Sequence, residues 1–405
     1  MMKANSKPLW RNRTFLTVWG GQSVSMFGSR VSYIAWMWWI WEQTGSTAAT
    51  AGIGIAAAIP NLLLGPIAGA IVDQHDRRRV LAAMDLVNAV LYGMAATLLL
   101  VGLLCVWHVY AVIAMTAVAM AFHRPALQSS IPNLVSKGQL TRGNSLYVVS
   151  RGICGLLGLL VGGILVGAIG VGPTLWLDAA TFVIAGLSLL LVRFASPRQP
   201  MGEVGWRRLI QDTVSGFRFL YRRKSLFTLI LLFALVNFLM APLSVLFPIM
   251  SDQIFNAGAR GLSVLSAAVS GGFLIGGLLM AILKRVRRQG VGILLGLLLV
   301  GSMLALFGVS KHLALSTGIL VLLGTAVAAV NVFESVIFQS RVPNALQGRV
   351  FAAQFAICEG LQPISLAIIG VLLTVVSTST VLIGSGIAII LASIGSFAVK
   401  GMTRL

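Results

Sequence analysis

Four carboxylates stand inside long apolar stretches of this sequence: Asp85, Asp178, Glu334 and Glu359. Such a group is costly in hydrocarbon unless it is paired or faces water, and it is also the type of side chain that carries protons in pumps. The other acidic residues, Glu42, Asp73, Asp76, Glu203, Asp212 and Asp252, fall on connections or at the ends of apolar runs. Asp85 lies about two turns from Arg77, Arg78 and Arg79 and is expected to pair with them. Glu334 sits close to the end of its run, so both are expected to stay ionised. Asp178 and Glu359 remain as proton-coupling candidates. Glu359 ranks first, because Asp178 is expected to be held as a structural anion by Arg30, whereas a contact between Glu359 and Arg151 would open when two halves separate. Arg30, Arg124, Arg151, Glu334 and Asn331 are candidates for a substrate path or for ion pairs.

Other chemistry finds no support. His75, His108, His123 and His312 fall on separate connections or run ends, and no HExxH appears. Without clustered nucleophiles, paired acids or metal ligands, an enzyme is not indicated, and neither a metal nor a cofactor is expected. There is no Gly-x4-Gly-Lys-Ser/Thr loop to cradle a nucleotide. Cys105, Cys154 and Cys358 are odd in number and widely spaced, which suits packing rather than a disulfide framework.

The elements around these residues follow from composition. Of 405 residues 58% are hydrophobic and 10% charged, and the mean hydropathy is +0.94. A bilayer core of about 30 Å takes roughly 20 helical residues. Twelve such runs begin near residues 14, 48, 80, 109, 144, 172, 225, 260, 290, 313, 350 and 380. The sequence therefore predicts an all-α, multi-pass membrane protein. Trp36, Trp38, Trp39 and Trp41 at the end of the first run suit a membrane interface.

With 30 basic and 10 acidic residues, a soluble chain would suggest nucleic acid as partner. The placement suggests anionic lipid headgroups instead, with no nucleic acid. Following the runs back and forth, all Lys and Arg except Arg30, Arg260 and Lys311 fall on or near one side, so both termini are expected in the cytoplasm. The apolar run after the basic N-terminus is too long for a signal peptide. Leu127–Asn133 and Phe338–Asn344 share four identities in seven at an offset of 211 residues, an internal repeat of about half the chain. A six-helix unit used twice in parallel is expected of transporters whose halves rock around a central site. The division is 1–192 for one bundle, 193–224 for a basic linker containing an amphipathic helix, and 225–405 for the other.

Two stretches interrupt or stiffen this plan. Gly69, Asp73, Arg77 and Arg78 join the second and third runs, with Gly69 expected to let the backbone approach a neighbour. Gly155, Gly158, Gly162 and Gly163 are spaced for close helix contact. The first stretch is in register with the loop between helices 2 and 3 of the major facilitator superfamily, with Gln74 and Asp76 departing from it. Gly158, Gly162 and Gly163 match the end of that superfamily's antiporter motif, although Leu159 stands where the motif has Pro.

Trp19–Ser25, Thr44-Gly45-Ser46, Leu64-Gly65-Pro66, Val72–Arg77, Phe122–Leu127 and Gly348-Arg349-Val350 together resemble the macrolide-efflux branch of that superfamily, from about residue 15 to 375. The resemblance implies two pseudo-symmetric six-helix bundles, in a monomer in the bacterial inner membrane. It implies proton-coupled export of an amphipathic small molecule, macrolide-like or a siderophore, with Gly69, Asp73, Arg77 and Arg78 as a conformational latch. A lipid or lysolipid translocase on the same fold is the alternative.

Overall fold

The computed structural model describes residues 9–136, 139–192, 214, 215, 217–282, 288–399, 401 and 402. Among them the chain has no strand. The helices are α1 Arg13–Thr44, α2 Thr47–Gln74, α3 Arg77–Leu100, α4 Val106–Leu134, α5 Leu140–Ile169 and α6 Val171–Leu191. After them come α7 Lys224–Met240, continued by Leu243–Ile249 and a π turn at Met250–Ile254, then α8 Gly258–Ile282, α9 Gln289–Val309 and α10 Leu313–Arg341. Last are α11, Asn344–Gly360 continued by Gln362–Leu372, and α12 Thr378–Phe397. The linker segment 193–213, the basic residues 284–287 and the side chains of Asp73 and Glu359 lie outside the described residues.

Eleven described segments are long and apolar enough to cross a membrane. The 32-residue α1 is the helix not among them. Its middle is diluted by Gln22, Ser23, Ser25, Ser29, Arg30 and Ser32, and its neighbours account for that polarity. Toward α6, a Cβ at Gly21 would strike Ser188, and one at Gly28 would strike Asp178 and Thr181. Toward α5, Trp19 Nε1 donates to Ser150 Oγ at 3.0 Å and Cys154 Sγ to the Ser23 carbonyl at 3.4 Å. Ser23 and Ser29 also return their hydroxyls to carbonyls one turn back, so these two are paired within the helix. A helix enclosed by other helices does not need a lipid-compatible surface all round.

The α1–α5 seam rests on glycine. A Cβ at Gly158 would lie 2.7 Å from Arg30 Cβ and 2.9 Å from the Phe27 carbonyl, and one at Gly162 2.9 Å from the Val31 carbonyl. Gly155 faces open space. Gly162→Ala is therefore expected to destabilise the protein by about 1–3 kcal/mol, the usual cost of overpacking, and Gly155→Ala to change little. Melting of both variants in detergent checks this, and equal midpoints would refute the seam.

Contacts divide the chain into two units, residues 1–39 with 56–204 and residues 40–55 with 205–405. In the first unit α3 packs on α4 and α6; in the second, six helices on, α9 packs on α10 and α12. The repeat seen in Leu127–Asn133 and Phe338–Asn344 thus extends to helix packing. The tryptophans at the end of α1 are not spread on a lipid interface: Trp36, Trp39 and Trp41 are buried. Trp36 meets Tyr92 edge-on in the first unit. Within the second, Trp41 Nε1 donates to Asp252 Oδ2 at 3.1 Å, which supplies the polar partner that an interface would otherwise give the indole.

Candidate functional site

Asp85 does not meet the arginines beside it in sequence. It is fully buried in the first unit, where Gln22 Nε2 donates to its Oδ2 at 2.8 Å. His123 Nε2 stands 3.2 Å from its Oδ1, at ion-pair distance but off the line of a hydrogen bond. Arg77 instead donates through Nη1 to the Ser129 carbonyl on α4 at 3.0 Å. His123 is thus no end-of-helix residue but one half of a buried pair, and the sequence reading missed it. Depth could have revealed it. Gln22, Asp85 and His123 lie nine, eight and eleven residues from Arg13, Arg77 and Leu134, the ends of their helices on one side, which at 1.5 Å per residue is about 12–17 Å for all three.

Asp178 on α6 is 1% exposed. Ser32 donates its hydroxyl to Oδ2, and Thr181 Oγ1 donates to Oδ1 at 2.9 Å. Tyr92 stands beside it. Arg30 is not its partner. Among the described residues Asp178 has no cation, because Arg30 leaves α1 toward α5 while Gly28 and Ser32 face α6.

The three arginines share one region of the first unit. Arg30 on α1 is within electrostatic reach of Arg151 on α5 and Arg124 on α4, and both of these reach Tyr147. All three are exposed. In the second unit Glu334 is 8% exposed and accepts from Gln354 Nε2 at 2.6 Å. Asn331 is half-buried one turn before it. Two helix breaks of the second unit also meet each other. α7 is interrupted at Ala241–Pro242 and α11 at Leu361, and Ser365 Oγ donates to the Phe238 carbonyl at 2.5 Å, tying one interruption to the other. Discontinuous helices of this type build binding sites in transporters.

At the turn between α2 and α3, Asp76 caps α3 by accepting from Arg78 N at 3.0 Å, with Arg79 Nε 3.7 Å from its carboxylate. Gly69 does not give the close approach expected of it, since an added Cβ would meet nothing within 4 Å. Gly163 is buried next to Gly162 on α5.

The profile of the Major Facilitator Superfamily matches residues 18–362. The chain belongs to this superfamily. It is a transporter and not an enzyme. Macrolide efflux protein A of Streptococcus pyogenes is 26% identical over 354 residues, covering 87% of each chain. Multidrug efflux pump Tap of Mycolicibacterium fortuitum is 24% identical over 350 residues, 85% of each. Among solved structures, the nucleoside transporter NupG aligns over 96% of this facilitator and 100% of its own chain, with a TM-score of 0.74 and 16% identity. A POT family transporter covers 95% of both chains at 0.73 and 11%.

Proposed function

We propose that this transporter exports an amphipathic small molecule across the bacterial inner membrane by alternating access, driven by the proton gradient, with both termini in the cytoplasm. The efflux relatives support export, and the one-sided distribution of Lys and Arg supports the orientation. The observation that carries proton coupling is the setting of Asp178, a buried carboxyl held, among the described residues, by the hydroxyls of Ser32 and Thr181. A hydroxyl can donate to a carboxylate or accept from a carboxylic acid, so the same two side chains hold the group in either protonation state. The partner that ranked Asp178 behind Glu359, Arg30, is absent from it. Glu359 keeps the place that its position on α11 gives it.

Purified protein in liposomes with an imposed pH gradient tests this. Uphill movement of amphipathic dyes is expected, and collapse of the gradient with nigericin is expected to stop it. Export that survives nigericin would overturn proton coupling. Movement of lysolipid with no movement of dyes would replace the small-molecule exporter by a lipid translocase.

A further inference from the structure

The unpartnered arginines of the first unit carry a statement about the cargo. Arg124 is ten residues from Leu134 and Arg151 eleven from Leu140, on adjacent helices, so both lie about 15–17 Å in from that end of the bundle. Arg30 is seventeen residues from Arg13, about 26 Å along α1 and too deep to reach that interface by snorkelling. A guanidinium at such depth costs at least about 2.5 kcal/mol unless it is paired or faces water. Yet none of the three has a hydrogen bond or ion pair among the described residues. The described carboxylates of the same unit are taken or distant. Asp85 is held by Gln22 and His123, Asp178 by Ser32 and Thr181, Asp76 caps α3, and Asp73 is one residue from the end of α2.

The packing holds the arginines where they are. Arg30 Cβ seats on Gly158, and Ser150, next to Arg151, is fixed by Trp19. The phenols of Tyr33 and Tyr147 stand beside the guanidiniums, adding neutral donors around a region of threefold positive charge. Guanidinium forks match the oxygens of carboxylate, sulfonate or phosphate two at a time. A cationic amine would meet only repulsion there.

We propose that Arg30, Arg124 and Arg151 form a binding site for an oxyanion carried on an apolar body, so that the exported molecule is an amphipathic anion. This rests on the export reading above and names its substrate class. The anion's source is either a free small molecule or a lipid headgroup, and the assay separates the two.

The test uses the full chain in liposomes of zwitterionic lipid with an imposed pH gradient and four probes. These are 8-anilinonaphthalene-1-sulfonate, N-phenyl-1-naphthylamine, which has the same aromatic body without the sulfonate, the cation rhodamine 6G, and lysophosphatidylglycerol. The sulfonate is expected to be exported and the neutral amine and the cation not. Arg30→Gln, Arg124→Gln and Arg151→Gln should each raise its KM about tenfold, as expected for loss of a charge-assisted contact, with partial recovery in the lysine variants. Export of lysophosphatidylglycerol alone, equally sensitive to these arginines, supports the oxyanion site and makes its source a lipid. Export of rhodamine 6G but of neither anion, or equal export of the sulfonate and its neutral analogue, overturns the proposal while leaving export intact. Movement of none of the four overturns the export reading and the proposal together. The sulfonate and amine comparison uses the unmodified protein, so it stands even where an arginine variant misfolds.

Discussion

Asp178→Asn is expected to abolish uphill export, with at least about a hundredfold loss of gradient-driven accumulation, the lower end of what a positioned proton-transfer group supplies. The amide oxygen can still accept from one of Ser32 and Thr181 while its NH2 donates to the other hydroxyl's oxygen, and its shape is that of the acid. Folding is thereby preserved while the ability to gain and lose a proton is removed. The group is 1% exposed, and Gly28 leaves no room for an added Cβ against it, so the isosteric change is the informative one and a larger residue is not. Downhill movement of substrate, measured without a pH gradient in the same liposomes, should persist in the variant, because binding and rocking do not need the proton. If Asp178→Asn accumulates substrate against its gradient at the wild-type rate, Asp178 is not the coupling group. The same assay on Glu359→Gln then decides whether α11 supplies it.

Most of the fold was legible in the sequence because it follows from one-dimensional quantities. The length of an apolar run against the thickness of a bilayer locates the helices, and the repeated Gln-Ser-x-x-Pro-Asn pattern locates the second half. The pairing of charges was not legible, because it depends on how each helix is rotated about its axis. Arg30 and Ser32 are two residues apart and so about 200° apart around α1. One faces α5 and the other α6, and the expected Arg30–Asp178 pair fails for that reason. Asp85 misled in the same way: Arg77 is eight residues before it on α3, but the arginine turns to the Ser129 carbonyl and leaves the carboxylate to Gln22 and His123. The composition of the tryptophan cluster at the end of α1 suits an interface, whereas the contacts of Trp36 with Tyr92 and of Trp41 with Asp252 give it protein partners. The glycines of α5 were legible in spacing but not individually. Gly158 and Gly162 touch α1 and Gly155 does not, a distinction that needs the partner helix in place.

Loss of Asp85 or His123 is expected to produce the largest drop in stability. Removing one partner of a buried polar pair costs about 1–3 kcal/mol, and more where the group left behind is charged, because it is left uncompensated in a medium that solvates it poorly. Asp85→Leu strands His123 and one amide of Gln22, and His123→Leu leaves Asp85 with Gln22 as its one described partner. Asn88, one turn along α3, is fully buried with both side-chain polar atoms unpartnered, a cost that the folded state already carries. The double variant Asp85→Leu with His123→Leu removes both polar groups and refills the volume with apolar atoms, and replacing both partners by apolar groups can be nearly neutral or stabilising. The single losses should therefore exceed the double loss, and the cycle should return a coupling of more than about 1 kcal/mol. Melting midpoints in a single detergent, with unfolding followed by reactivity of buried Cys358, provide the comparison. Losses that simply add would mean that Asp85 and His123 are neighbours without an interaction. The three helices that meet at this depth, α1, α3 and α4, would then be held by the apolar packing around Leu81, Ala126 and Leu127 alone.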